Sequence, residues 1–319
     1  FNEAMSIMNT VFENEAGIRF VLIPQNDDLI FLDPATAPFN FPDQGAFLLG
    51  EVGDVIEDQG ISLSQYDIGH VFAGSCGTGG IASLGSACTN FKAAGVTCHS
   101  GGSVAAITSS VMTHEVGHQF SAPHSWNNCP TSQQQRSSGS AFEPGSGSTI
   151  MSYAGLCGSQ NITGDNDLYF HVNSLDQIFT HSREVFPNCP TILAETNNEP
   201  VAIIEEESGF FIPVSTPFIL RGSGTDPDND PLTYCWEQLD LGPISSLGDP
   251  VQNTPLFRSF PPSTSGAIRY VPNRSSVINN VNNIRDFLPD YGRDITFRLT
   301  VRDNSDVAGA AVWETLEFE

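Results

Sequence analysis

The chain has 319 residues, with 37 acidic and only 12 basic side chains, and carries a formal net charge of -25 at pH 7. Such an acidic surface repels nucleic-acid phosphates and anionic lipid headgroups, so we expect neither nucleic-acid nor membrane partners. No apolar run reaches the roughly 20 residues that a membrane-spanning helix requires. The length exceeds that of most single hydrophobic cores, and we therefore expect two domains.

The first part of the chain alternates between helix and strand patterns. Apolar residues recur at helical spacing over residues 1–12, and Gly17 interrupts this pattern before IRFVLIP (18–24), which is typical of a strand. A second helix is predicted for AFLLGEVGDVIED (46–58), and a second strand lies within YDIGHVFAG (66–74). This alternation predicts a mixed α/β layer structure.

A further helix is predicted to begin at Ser103, because serine is a favourable N-cap residue. Ile107 and Val111 follow at helical spacing, and His114 and His118 continue along neighbouring stripes of the same helix. After this helix, residues 127–148 are polar and rich in glycine, which indicates a long surface connection.

Helical periodicity ends after a last predicted helix, LDQIFTHSREVF (175–186), and AETNNEP (194–200) has the composition of a linker. Beyond it, short β-type runs alternate with clusters of Pro, Gly, Asn and Asp. Examples of these runs are PFILRGS (217–223), LTYCWEQ (232–238) and ITFRLTVRD (295–303). The pattern predicts a β-sandwich.

The chain contains seven cysteines, none in CxxC spacing, which favours an oxidising, extracellular setting. Six of them precede residue 190, an even set that allows fifteen disulfide pairings. Our predicted pairs are Cys76–Cys88, Cys98–Cys189 and Cys129–Cys157. The seventh, Cys235, lies in a predicted strand and is expected to be a buried free thiol. We expect a secreted protein that begins at a processed or trimmed start.

The segment HEVGHQFSAPH (114–124) contains three of the seven histidines in the chain. His114 and His118 are four residues apart, so their imidazoles project from one face of a helix and can share a cation. His124 lies just beyond Pro123, where the helix cannot easily continue, and can supply a third ligand. Three neutral imidazoles leave the fourth tetrahedral position of Zn²⁺ to a water molecule, whose pKa falls to about 7.

Glu115 follows the first of these histidines, and its side chain emerges about 100° further round the helix. A carboxylate there can take a proton from the water and pass it to a leaving amine, which contributes about 10²–10⁴ in rate. HExxH alone has an alternative interpretation as a solvated helical face. His124 and the downstream segment GSTIMSYAG (147–155) favour the metal site.

The chain resembles the metzincin zinc peptidases in two segments. The zinc motif of that family is matched by His114, Glu115, His118 and His124. Met151 in TIMSYAG matches the Met-turn, which lies beneath the metal in those enzymes. The order of helices and strands is similar to the reprolysin, or adamalysin-like, branch. The resemblance implies a mixed, mostly parallel twisted sheet with flanking helices, zinc as cofactor, and protein or peptide substrates.

Two residues differ from the simplest form of the family motif. Ser121 stands where the family has a glycine, at a turn that often requires positive φ. Tyr153 matches a position where astacin-like and pappalysin-like relatives place a tyrosine near the zinc. By that resemblance Tyr153 is either a weak fifth ligand or a hydrogen-bond donor to the oxyanion, and the alternative is an ordinary packed tyrosine.

The family also places its substrate along an edge strand above the zinc helix, and GGIASLGS (79–86) is the candidate strand, with a plain loop as the alternative. SGTDPDNDPLTYCWEQ (223–238) resembles the start of PKD-type and immunoglobulin-like modules, for which we expect a spacer role. Carboxylates crowd DPDND (226–230) and GDNDLYF (164–170), which suits Ca²⁺. Neither follows the EF-hand loop, so polar turns are the alternative.

These observations predict a secreted, monomeric zinc endopeptidase of α+β class. The predicted domains are a metzincin catalytic domain (1–194) and an all-β immunoglobulin-like sandwich (199–319). Its site residues would be the ligands His114, His118 and His124, the catalytic Glu115 and Tyr153, and Met151 of the Met-turn, with no further cofactor-binding residues.

Two alternatives remain open. The first is an extracellular adhesion or glycan- or protein-binding protein with a structural or vestigial zinc site. Glu115 argues against it, because a purely structural site needs no base. The second is a different HExxH hydrolase that takes its third ligand from a distant glutamate.

Overall fold

The structure, a computed structural model, describes residues 2–33, 35–99, 101, 103–193, 197–306 and 308–319. Its helices are α1 (Asn2–Ala16), α2 (Gly45–Asp58), α3 (Val104–Ile107), α4 (Thr113–Gln119), α5 (Val172–Phe179) and α6 (Arg274–Asn279). Its strands are β1 (Val71–Ala73), β2 (Gly80–Ala82), β3 (Gly95–Cys98), β4 (Val201–Ile204), β5 (Phe218–Thr225), β6 (Thr233–Gln238), β7 (Ile268–Val271), β8 (Ile295–Arg302) and β9 (Ala311–Phe318). None of the helices in these ranges is long and apolar enough to cross a membrane.

Residue contacts divide the chain into two compact units. Unit 1 comprises 1–12, 18–122 and 176–193, and unit 2 comprises 13–17, 123–175 and 194–319. Segment 123–175 therefore groups with the C-terminal strands. The predicted domains 1–194 and 199–319 stay a prediction, and residues 194–196 of the predicted linker lie outside the described residues.

The sheet of unit 1 has three strands in the order β1-β3-β2. β1 runs parallel to β3, whereas β2 runs antiparallel to it. The predicted, mostly parallel sheet is therefore not seen in the described part of the chain. The segment 18–24, for which the sequence predicts a strand, does not form one either. Its Phe20 backbone exchanges two hydrogen bonds with the side chain of Asn9, at 2.8 and 2.9 Å, so these groups pair with a helix side chain rather than a strand.

The first two helices form where the apolar spacing predicts them. α1 ends before Gly17, whose φ of +63° takes the chain out of the helical conformation. α2 buries Val52 and Ile56 in a small core together with Tyr66 and Ala93. Helix 46–58 and the strand within 66–74 are thus confirmed.

The third predicted helix is continuous from 104 to 119 but contains one wider turn. The hydroxyl of Ser103 accepts a hydrogen bond from the Ala106 N–H at 3.2 Å, which confirms the N-cap. Residues 108–112 form a π-helical turn between α3 and α4. The Thr113 hydroxyl lies 2.7 Å from the carbonyl of Ser109 and 3.1 Å from that of Thr108, so it donates to the carbonyls of this wider turn.

Three disulfides form, two in unit 1 and one in unit 2. They are Cys76–Cys98, Cys88–Cys189 and Cys129–Cys157. The third pair and the buried free thiol of Cys235 are confirmed, whereas the predicted pairs Cys76–Cys88 and Cys98–Cys189 are wrong. The reason is strand register: Ala73 at the end of β1 lies opposite Cys98, so Cys76, just beyond β1, is the neighbour of Cys98.

Unit 2 contains two antiparallel sheets, with strand orders β4-β5-β7 and β6-β8-β9. Both contribute to one apolar core. Its members include Leu220 and Val271 from the first sheet and Trp236, Leu299 and Leu316 from the second. Three of the predicted β-type runs coincide with β5, β6 and β8. This arrangement is compatible with the predicted sandwich.

A buried ion pair lies beside that core in unit 2. The guanidinium of Arg302 on β8 donates two hydrogen bonds to Glu15 at 2.7 and 2.8 Å. A third bond, at 3.2 Å, goes to the carbonyl of Phe170. Burial lowers the pKa of Arg302, but the carboxylate of Glu15 more than compensates, so the pKa of Arg302 is raised and its guanidinium stays charged.

Candidate metal centre

Three histidines come together on α4 and in the turn that follows it. His114 and His118 lie on this helix with ring centroids 4.6 Å apart, and His124 follows after a turn. One ligand atom from each of the three lies within 4.8 Å of the others. Three imidazole nitrogens are a donor set that suits Zn²⁺. The residues present therefore fit the predicted metal.

Two of the imidazoles are held in one tautomer by backbone carbonyls. His118 Nδ1 lies 2.7 Å from the carbonyl of Ala122, and His124 Nδ1 lies 2.7 Å from that of Gln135. A carbonyl only accepts, so each Nδ1 carries the proton and each Nε2 offers its lone pair to a metal. Burial also lowers the pKa of His124, against the opposing effect of the Gln135 bond, which favours the neutral ligand form.

The turn that follows α4 is left-handed at Ser121, where φ is +69°. Ser121 therefore adopts the positive φ that this turn often requires, although it is not glycine. Ala122 N–H donates to the carbonyl of Gly117 at 3.0 Å, and Ser121 N–H donates to that of His118 at 2.9 Å. These two bonds define a Schellman cap, which ends the helix.

Glu115 is 7% exposed and lies against the backbone of β2. A Cβ atom at Gly80 would lie 2.5 Å from Glu115 Oε1, so only glycine leaves room for the carboxyl group at this place. Burial raises the pKa of Glu115 to about 8 in the metal-free protein. A divalent cation nearby would lower this pKa and favour the carboxylate that a general base requires.

Strand β2 lies at the edge of its sheet. β2 covers residues 80–82, and the segment predicted to form an edge strand is 79–86. Its antiparallel partner is β3, through the pairs Gly80–Thr97 and Ala82–Gly95. An edge strand beside Glu115 is thus present, while its contact with substrate stays a prediction.

Met151 and Tyr153 lie in the same unit as the third histidine. Met151 is fully buried, and its carbonyl accepts a hydrogen bond from the N–H of Ser125 at 3.1 Å. The Tyr153 ring lies 4.5 Å from the His124 ring between centroids. Its hydroxyl donates to Gln135 Oε1 at 2.8 Å. Met151 thus bonds the residue after His124, and Tyr153 contacts the His124 ring itself. The catalytic roles of both residues stay predictions.

Glu143 is a residue of this site that the sequence analysis missed. It is 1% exposed, within a run of buried residues from 140 to 152. Its carboxylate accepts hydrogen bonds from the hydroxyls of Ser125 and Thr149, both at 2.5 Å, and from the N–H of Ser148 at 2.8 Å. Glu143 thus joins the residue after His124 to the residues before Met151. The predicted surface connection 127–148 is wrong for this part of the chain.

The signal for such a residue is weak in the sequence. Glu143 stands alone among Gly, Ser, Ala and Pro residues, which are usual in exposed loops. The hydroxyls that satisfy it lie 18 and 6 residues away along the chain, so no local spacing reveals them. The bonds that Glu143 accepts satisfy several of the polar groups that are buried with it.

Replacing Glu143 by Gln is expected to lower the free energy of unfolding by about 1.5–3 kcal/mol, because hydrogen bonds to a buried charge are lost. Zinc affinity should fall with it, since the segment carrying His124 loses its tie to the Met-turn. Thermal unfolding and zinc titration would measure both effects. Glu207→Gln, at an exposed residue of the same unit, is the matched control. Unchanged zinc affinity in Glu143→Gln would show that the carboxylate does not hold the site.

The C-terminal region of unit 2 is bonded directly to the segment that carries His124. Asn127 exchanges hydrogen bonds with Pro243 and Ser245, each at 3.1 Å, and Asn128 donates to the carbonyl of Ser245 at 2.9 Å. Arg136 adds a bond to the carbonyl of Gly242. The C-terminal region thus contributes hydrogen bonds to the segment that carries His124, and the predicted spacer role stays a prediction.

One of the two acidic segments forms a compact group. Carboxylate oxygens of Asp226, Asp228 and Asp230 lie within 4.8 Å of one another. Some of these carboxylate oxygens already accept hydrogen bonds. Asp226 accepts from two backbone N–H groups, and Asp228 accepts from the N–H of Asn198. No comparable group forms in 164–170 among the residues that the structure describes.

The comparison with known families agrees with this geometry. Residues 1–125 match the family described as metallo-peptidase family M12B, reprolysin-like. No curated protein sequence matches the chain. The matched range contains the three histidines and Glu115 and ends one residue after His124. The family match supports a reprolysin-like metallopeptidase, and the three histidines could hold the zinc that such enzymes use.

Proposed function

We propose that the protein is a secreted, zinc-dependent endopeptidase of the metzincin type. The observation that carries this proposal is the convergence of His114, His118 and His124, two of them with Nδ1 bonded to a backbone carbonyl. The presence of Glu115 next to them favours a hydrolytic site over a structural one, because a structural zinc site needs no general base. The family match over 1–125 supports the same conclusion.

The residues of the chain suit the steps of peptide hydrolysis. When bound, zinc supplies a Lewis acid and lowers the pKa of a coordinated water to about 7. Glu115 would accept the proton of the attacking water and deliver it to the leaving amine nitrogen. The outer edge of β2 would bind the substrate as an additional strand through backbone hydrogen bonds. Extended, unfolded segments of protein are therefore the expected substrates.

Met151 and Tyr153 complete the proposed site. Met151 would support the segment of His124 through its carbonyl, which bonds Ser125. Tyr153 would donate to the oxyanion, or bind the metal weakly, after exchanging its present bond to Gln135. The ring contact between Tyr153 and His124 supports a role at the site rather than ordinary packing alone.

Extracellular location, monomeric state and calcium belong to the same proposal. Three disulfides are consistent with an oxidising compartment. Ca²⁺ at Asp226, Asp228 and Asp230 is supported by their oxygen-rich grouping and by the charge of -25. The C-terminal sheets are proposed to form an immunoglobulin-like sandwich, which their shared core supports.

Removing zinc tests the proposal directly. Casein hydrolysis is expected to stop when a chelator extracts the metal and to return when Zn²⁺ is added. His124→Ala should lose both zinc and activity, whereas His99→Ala, at a histidine outside the ligand group, should keep both. Hydrolysis that persists after complete metal removal would contradict the proposal. Tight zinc binding without hydrolysis would favour the adhesion alternative.

A further inference from the structure

The left-handed turn at Ser121 is unusual because its central residue is not glycine. With φ at +69°, Ser121 adopts a conformation that side chains other than glycine rarely take. The Schellman cap formed by Ser121 and Ala122 usually places glycine there. A serine in this position needs compensating contacts from the surrounding fold.

His181 supplies such a contact. Its Nδ1 lies 2.9 Å from Ser121 Oγ, and its Nε2 lies 3.1 Å from the carbonyl of Ala87. Since that carbonyl only accepts, Nε2 carries the proton of the neutral ring, and the Ser121 hydroxyl donates to Nδ1. The imidazole is buried, with the rings of Phe120 and Phe186 at centroid distances of 5.6 and 4.9 Å. Its orientation is therefore fixed by packing as well as by hydrogen bonds.

The neighbouring backbone leaves room for the serine hydroxyl. A Cβ atom at Gly85 would lie 2.7 Å from Ser121 Oγ, so glycine is required at that position. The N–H of Gly85 donates to the carbonyl of His118 at 2.8 Å. Gly85 thus leaves room for the Ser121 hydroxyl and also bonds the last turn of α4, the helix that carries His114 and His118.

The turn also determines where one metal ligand finds its partner. The carbonyl of Ala122, directly after Ser121, accepts the Nδ1 proton of His118 at 2.7 Å. A change of φ at Ser121 would move this carbonyl and release the ring of His118. Loss of such a partner to a ligating histidine typically lowers metal affinity by about 10–100-fold.

We propose that His181 is a positioning residue of the metal centre. Through its bond to Ser121 it holds the left-handed turn that the family glycine would otherwise maintain, and so keeps the Ala122 carbonyl on His118. This inference rests on the proposed zinc site. It assigns His181, 57 residues beyond the last ligand in the sequence, to the support of zinc binding.

A double-mutant cycle tests this role. In the wild-type background, His181→Phe should weaken zinc binding by roughly 10-fold, because the turn is no longer held. In a Ser121→Gly background, the same replacement should change zinc binding by less than about 2-fold, because glycine adopts positive φ unaided. Zinc dissociation constants would be measured by competition with a chromophoric chelator, together with the melting temperature of the metal-free protein.

Two further variants keep the test decisive. Ser121→Ala removes the same hydrogen bond from the other side, so it should reproduce the zinc defect even if His181→Phe folds poorly. Ser182→Ala is the matched control, because its hydroxyl donates to the carbonyl of Ile178, four residues earlier, and not to the turn at Ser121. It should leave zinc binding unchanged.

The outcomes separate the positioning role from a general packing role. If His181→Phe weakens zinc binding equally in both backgrounds, His181 acts by packing alone and the proposal is wrong. Coupling in melting temperature without coupling in zinc affinity would also overturn the link to the metal centre. If the zinc results follow expectation but wild-type protein hydrolyses no casein, the peptidase function fails while the positioning role stands.

Discussion

Replacing Glu115 by Gln is expected to lower kcat/KM for protein hydrolysis by about 10²–10⁴-fold while the protein keeps its zinc. The amide has the shape of the carboxyl group and fits the same space against Gly80, so the fold should be retained. It cannot accept a proton from the attacking water or carry it to the leaving amine. The three imidazoles are untouched, and zinc content should stay at the wild-type level.

Steady-state hydrolysis of casein and metal analysis of the same preparations would measure the two effects. Glu57→Gln, at an exposed carboxylate of α2, is the matched control and should have wild-type activity. An equally active Glu115→Gln enzyme would rule out general-base catalysis at this residue. Loss of zinc together with activity would instead mean that Glu115 supports the metal and not the proton transfer.

Replacing Arg302 by Met is expected to lower the free energy of unfolding by about 3–5 kcal/mol, because it leaves the carboxylate of Glu15 buried without its partner. Arg302 is 2% exposed and its bonds to Glu15 and Phe170 lie out of water. An exposed pair is worth far less, since solvent screens it. Arg221→Met is the matched control, because the side chain of Arg221 is 46% exposed in its pair with Glu206. It should cost at most about 1 kcal/mol.

Urea unfolding followed by tryptophan fluorescence suits this comparison. The three tryptophans, Trp126, Trp236 and Trp313, all belong to unit 2, where both ion pairs lie. Adding Glu15→Gln to Arg302→Met should recover part of the loss, since it removes the uncompensated charge. Equal destabilisation by Arg302→Met and Arg221→Met would contradict the argument from burial.

Local chemistry made the metal ligands predictable from the sequence. The four-residue spacing of His114 and His118 needs only a helix to bring their imidazoles together, and Pro123 ends that helix before His124. The N-cap at Ser103 depends on residue type at one position in the same way. Such features are decided within one or two helical turns, so they can be read without knowledge of the fold.

Features that join distant segments were decided by the tertiary structure. The pairing of Cys76 with Cys98 depends on the register of two parallel strands, which spacing along the chain does not contain. Segment 18–24 has strand composition, yet Phe20 takes its hydrogen bonds from Asn9. Propensity is a weak preference that one competing partner can override.

The supports of the site belong to this second group. Glu143 and His181 are unremarkable residues in the sequence, and each gains its importance from buried partners far along the chain. The sequence by itself determined which side chains can bind zinc and activate water, because those properties belong to residue types and local spacing. Only the tertiary structure decided what holds these side chains in place, because burial and hydrogen bonding between remote segments arise when the chain packs.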